Sequence, residues 1–104
     1  MRVYHEIQVD FGLSRISTDG IRVYDASCVQ IKADRPTCYS NIKKISVTVF
    51  YGDCKDEYEY LANEYIADDD SCNDLYYDLF RSIKEGDDID ISKFEYLRTT
   101  KIID

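Results

Sequence analysis

Two stretches of this chain alternate apolar and polar side chains with a period of two, and nothing else in the sequence narrows the possible folds as much. In residues 2–11, Val3, His5, Ile7, Val9 and Phe11 fall on one side, and Arg2, Tyr4, Glu6, Gln8 and Asp10 on the other. In residues 44–51, Ile45, Val47, Val49 and Tyr51 alternate with Lys44, Ser46, Thr48 and Phe50. Period two is the mark of a half-buried strand, and the Val, Ile and Thr content of the second stretch suits a pleated surface. A sheet that is apolar on one side only must be covered there by another layer.

The rest of the chain predicts that layer. Gly12 to Gly20 reads as a loop closed by Asp19-Gly20, and residues 21–33 as a second strand interrupted at Asp25-Ala26-Ser27. Ala33 to Asn41, around Pro36, reads as a loop. At Gly52-Asp53 the period changes. Tyr58, Leu61, Ala62, Tyr65 and Ile66 recur at the spacing of an amphipathic helix, with Asp53 as its N-cap. A second helix is expected from an N-cap at Ser71, through the stripe Leu75, Tyr76, Leu79, Phe80 and Ile83, to a C-cap at Gly86. One strand, or two short ones, fills 89–103. The expected architecture is α+β: a small antiparallel sheet in βββααβ order with two helices packed on one face, one domain over residues 1–104.

Charge adds a second constraint. The chain has 104 residues, 13 basic and 21 acidic, for a net charge of -8. An acidic surface repels nucleic acid and anionic membrane, so neither is expected as a direct partner. The excess is concentrated. Residues 53–90 hold 14 acidic side chains and 3 basic ones, whereas residues 1–52 and 91–104 are slightly basic. On two helices, the faces away from the apolar stripes would display Glu57, Tyr60 and Glu64, then Asp74, Tyr77 and Asp78, joined through Asp68, Asp69 and Asp70. Like charges one turn apart repel by a few tenths of a kcal/mol per pair. The pattern has two readings: a solvated face that keeps the chain soluble, or a binding surface for a basic partner. The ten tyrosines favour the second, because Tyr supplies contact area at low entropic cost.

No catalytic motif accompanies the charge. There is one His, and no Gly-rich phosphate loop or nucleophile elbow. Neither Asp68 nor Asp88 starts a run that fits a calcium loop, since Leu79 or Thr99 would occupy the position of the closing Glu. Cys28, Cys38, Cys54 and Cys72 lack zinc-ribbon spacing, and without a leader at the N-terminus reduced thiols are expected. The expectation is therefore no enzyme, no cofactor and no metal, in a cytoplasmic protein that is a monomer or weak homodimer.

In the character of 53–90 (Glu57-Tyr58-Glu59-Tyr60, Asp68-Asp69-Asp70, Asp74-Leu75-Tyr76-Tyr77-Asp78) the chain resembles phage-encoded anti-CRISPR and antirestriction proteins that mimic DNA. That resemblance implies a phage or mobile-element inhibitor, acting in the host cytoplasm. It would bind a CRISPR effector through the acidic, Tyr-containing face and block DNA or guide binding. Glu57, Tyr60, Glu64, Asp68, Asp69, Asp70, Asp74, Tyr77 and Asp78 would make the contact. The alternative partner is a nuclease toxin, with the chain as an immunity protein or antitoxin that plugs a basic active site.

Overall fold

The computed structural model describes residues 5–19, 23–37, 39–63, 65–66 and 68–102, with the backbone alone for 5–7. Alternation builds the larger sheet. Strands β1 (His5–Phe11), β4 (Cys28–Arg35), β5 (Lys44–Tyr51), β6 (Cys54–Leu61) and β8 (Glu95–Lys101) pair in the order β1-β4-β5-β6-β8, antiparallel throughout. Strands β2 (Ser14–Ser17), β3 (Val23–Ala26) and β7 (Ile89–Asp90) form a smaller sheet in the order β3-β2-β7. The β2–β7 pair is parallel, with Ile16 opposite Ile89. Helix α1 (Ser71–Glu85) joins the two sheets and ends at Gly86, whose φ of 74° is the left-handed conformation that glycine adopts without strain.

Register places the core. Val29, Ile31 and Ala33 of β4 lie opposite Val49, Val47 and Ile45 of β5, and these in turn opposite Asp56, Tyr58 and Tyr60 of β6. These six side chains of β4 and β5 are fully buried. Helix α1 and the smaller sheet cover this face. Cys72 and Leu79 of α1, Ile16 of β2, Ala26 of β3 and Ile89 of β7 belong to the same core cluster. Phe80 of α1 meets Phe11 of β1 edge to face at 5.5 Å, and Tyr24 of β3 meets Tyr51 of β5 at 5.6 Å. The other face, with Gln30, Lys32, Ser46, Thr48, Glu57 and Glu59, stays half open to water. Burial pushes the Cys72 thiol up to about 11, which makes it an inert core residue.

Strand β8 is a sheet edge. All seven of its residues are exposed, and register against β6 slips between Glu57/Arg98 and Tyr58/Tyr96, leaving Leu97 as a bulge. A bulge together with Arg98 and Lys101 blunts an edge against pairing with other chains.

The fold overturns the expected α+β layer pair in βββααβ order. Among the described residues there are eight strands in two sheets and a single helix. The expected first helix is strand β6. Gly52-Asp53 is a two-residue hairpin loop between Tyr51 and Cys54, with Gly52 at φ 53°, and not a helix start. Residues 12–20, expected as a loop, contain β2. The second helix and the third strand agree with the sequence reading, and of the two readings of the tail the structure has the one with two strands. The cap position of α1 is Asp70 rather than Ser71.

Candidate functional site

The change from helix to strand in β6 divides the nine residues expected to form one acidic face. A strand sends alternate side chains to opposite faces. Glu57 lies on the open face of the larger sheet, where it accepts a hydrogen bond from Arg98 Nη1 at 3.1 Å. Tyr60 points the other way and packs against Phe94, with ring centroids 6.0 Å apart. Glu64 lies outside the described residues. Helix α1 covers the inner face, so Glu57 and the outer side of α1 look away from each other.

Asp69 is consumed by structure. Its Oδ2 accepts the Asn63 N–H at 2.7 Å and its Oδ1 accepts the Ser71 N–H at 3.0 Å. The side chain ties the end of the β6 loop to the first turn of α1, the work a capping residue performs. These backbone donors hold its carboxyl below the usual carboxylate range. A lowered carboxyl favours folding above the unfolded-state value near 3.9, and that contribution fades as pH falls through the folded value. We expect the Asn63 and Ser71 amides to lose protection from hydrogen exchange as pH drops below about 4. Asp69→Ala should abolish that acid sensitivity, and an unchanged profile in the variant would remove the assignment.

Five of the nine remain together. Asp68 and Asp70 are exposed just before α1, and Asp74, Tyr77 and Asp78 are exposed on its outer side. Asp70, Asp74 and Asp78 follow each other at i, i+4, i+8, a row about 12 Å long at 1.5 Å per residue. Asp74 is favoured by the positive end of the helix dipole. Asp78, one turn further on, leans on Arg81, whose Nη1 lies 3.3 Å from its Oδ1. Tyr77, on the same helix, is 65% exposed, and Tyr65 is 97% exposed. The spacing of Tyr65 predicts a place in a buried helical stripe, but the residue lies in the turn between β6 and α1. Tyr39, also 97% exposed, sits in the loop before β5. That loop meets the start of α1 where Ile42 N donates to Asn73 Oδ1 at 2.9 Å and Asn73 Nδ2 donates to Asn41 Oδ1 at 2.9 Å.

A second polar cluster lies inside. Asp56 faces the core side of β6 and is 8% exposed. Its Oδ1 accepts from Tyr51 Oη at 3.0 Å and from Thr99 Oγ1 at 2.6 Å. Tyr96 Oη bonds Thr99 Oγ1 in turn. Burial pushes the Tyr24, Tyr51 and Tyr58 phenols above the usual tyrosine range, helped by Asp56 beside them. The cluster contains neither a nucleophile paired with a base nor an open floor for a substrate. Its geometry serves to tie β8 to β6. Among the described residues no three His, Cys, Asp or Glu side chains gather to hold a metal ion. Cys28, Cys54 and Cys72 are free thiols, and the His5 side chain and Cys38 lie outside the described residues. No described helix is long and apolar enough to cross a membrane.

Comparison with protein-family models, with curated proteins and with solved structures finds no match to this chain.

Proposed function

We propose that this chain is a non-catalytic inhibitor that binds a basic, nucleic-acid-binding protein, of which a CRISPR effector is the instance its resemblance suggests. The contact is made by Asp68, Asp70 and the outer side of α1, in place of nucleic acid. The observation that carries the reading is the exposed row Asp70, Asp74 and Asp78 with the exposed Tyr77 on the same helix. Carboxylates at helical spacing offer a cationic cleft what a phosphate backbone offers it, and aromatic side chains supply the apolar contact that charge alone lacks. Glu57 and Tyr60, on other surfaces, take no part in this narrower site, and Asp69 shapes it from within.

The test is competition. A guide-loaded Cas9-type effector is incubated with a fluorescent duplex carrying its target and PAM, and the chain is titrated in. Displacement of the duplex is expected, weakening as salt rises because charge steers the encounter. The triple variant Asp70→Lys, Asp74→Lys and Asp78→Lys, checked for helix content by circular dichroism, should displace at least about 100-fold less well, since like charges at an interface cost several kcal/mol. Equal displacement by the variant would refute the site. Protection of a basic nuclease's substrate, without displacement from the effector, would transfer the same site to the toxin-neutralising reading.

A further inference from the structure

At the far end of α1 from this row, a cleft of about 470 Å³ opens between the helix C-terminus and the smaller sheet. Its volume lies within the range of small-molecule sites. Ala26 and Ile89 lie fully buried beneath it, and the half-buried Ile83 supplies the apolar floor. Leu13 forms a wall and is 88% exposed, a large apolar side chain left in water beside an apolar floor. The mouth is anionic. Arg15 stands opposite Asp25 in the β2–β3 register, and its Nε lies 3.2 Å from Asp88 Oδ1. Asp87 adds a third carboxylate against that one guanidinium. The C-terminus of α1, at Gly86, contributes the negative end of the helix dipole.

We propose that this cleft binds a small organic cation, an apolar body carrying an ammonium group. The body would lie on Ile83 against Leu13, and the ammonium would lie at the rim between Asp25 and Asp87. Arg15 is engaged by Asp88, so Asp25 and Asp87 give the rim an excess of negative charge that an anionic or neutral ligand would not use. The site is independent of the acidic row on α1.

The proposal is tested by titrating the ¹⁵N-labelled chain with phenethylammonium, with 3-phenylpropionate as the same ring and chain bearing the opposite charge, and with N-acetyl-lysine amide as a mimic of a protein side chain. Phenethylammonium is expected to give saturable amide shifts confined to residues 13–15, 25–26 and 86–89. The carboxylate should bind at least about tenfold less tightly, since repulsion replaces attraction at the rim. The lysine amide should also bind less tightly, because it buries less apolar surface. Asp25→Asn and Asp87→Asn should each weaken phenethylammonium about two- to fivefold, the effect of an exposed charge pair, and Leu13→Ser should weaken all three probes. These side chains are exposed, so the variants keep the amide spectrum of the parent chain, and Asp74→Lys on the helix should change nothing. Absence of saturable shifts at millimolar phenethylammonium, equal binding of the carboxylate, or tighter binding of the lysine amide would each overturn the proposal.

Discussion

Asp56→Ala is expected to lower the free energy of unfolding by about 2–3 kcal/mol, with the first effect at β8. Asp56 accepts from Tyr51 and Thr99 at 3.0 and 2.6 Å while almost wholly buried. Hydrogen bonds to a charged group contribute about 1.5–3 kcal/mol each, and a donor left unmatched costs its own desolvation. The exposed hydroxyl side of Thr99 recovers part of that in water, which keeps the total below the sum of two such bonds. Asp56→Asn retains an acceptor oxygen and should cost about half as much. The apolar route is the informative control. In the row Val29, Val49, Asp56, Thr99, replacing both polar members by valine removes donor and acceptor of the Thr99–Asp56 bond together. Asp56→Val with Thr99→Val should therefore be more stable than the sum of the two single variants implies, by a coupling of about 1 kcal/mol or more. Urea titration gives the global numbers, and hydrogen exchange shows whether the amides of β8 open before those of β4 and β5. A loss under 0.5 kcal/mol in Asp56→Ala, or uniform exchange across the sheet, would show that Asp56 does not hold the edge strand.

The same residue explains why β6 was hidden in the sequence. Its inward positions are Asp56, Tyr58 and Tyr60 and its outward ones Lys55, Glu57 and Glu59. The alternation is complete in space, but a carboxylate occupies one inward position and Leu61 an outward one. Hydropathy therefore loses the period of two, and Tyr58, Leu61, Ala62, Tyr65 and Ile66 supply a period of 3.6 by coincidence. A signal against the helix was present: Gly-Asp between two strand-forming runs is a hairpin sequence, and tyrosines favour strands. Strand β2 was hidden for another reason. Ser14-Arg15-Ile16-Ser17 has a single apolar residue, and its pairing comes from β3 and β7, the latter more than 70 residues away. By contrast β5 and α1 carry their whole pattern locally, and both were legible.

Legibility of the candidate site followed the elements. Asp74, Tyr77 and Asp78 lie on a helix that was read correctly, and they share an exposed side as its period requires. Glu57 and Tyr60 lie on the misread segment, and period two sends them to opposite faces. Asp69 shows a limit that no periodicity resolves: three successive aspartates look alike in sequence, yet the middle one alone has both oxygens engaged by backbone donors. Composition gives the amount of charge, and only the chain path around 63–71 decides which carboxylates remain available to a partner.

The second large effect is expected in β4, where neighbouring residues report the two faces of one sheet. Ile31 is fully buried, opposite Val9 on one side and Val47 on the other. Ile31→Ala removes apolar volume from the middle strands of a close-packed core and should cost about 3–4 kcal/mol, within the range for Ile-to-Ala core changes. Gln30, one residue away, faces the half-open side between Asp10 and Thr48. Gln30→Ala should change stability by less than about 0.5 kcal/mol. A domain of this size commonly has 5–15 kcal/mol in total, so the first substitution removes a large share of stability and the second leaves it intact. Chemical denaturation of the pair measures both. Similar losses in the two variants would mean that the Gln30 face is also covered, and the single-sided core that sets the position of α1, and with it the acidic row, would have to be redrawn.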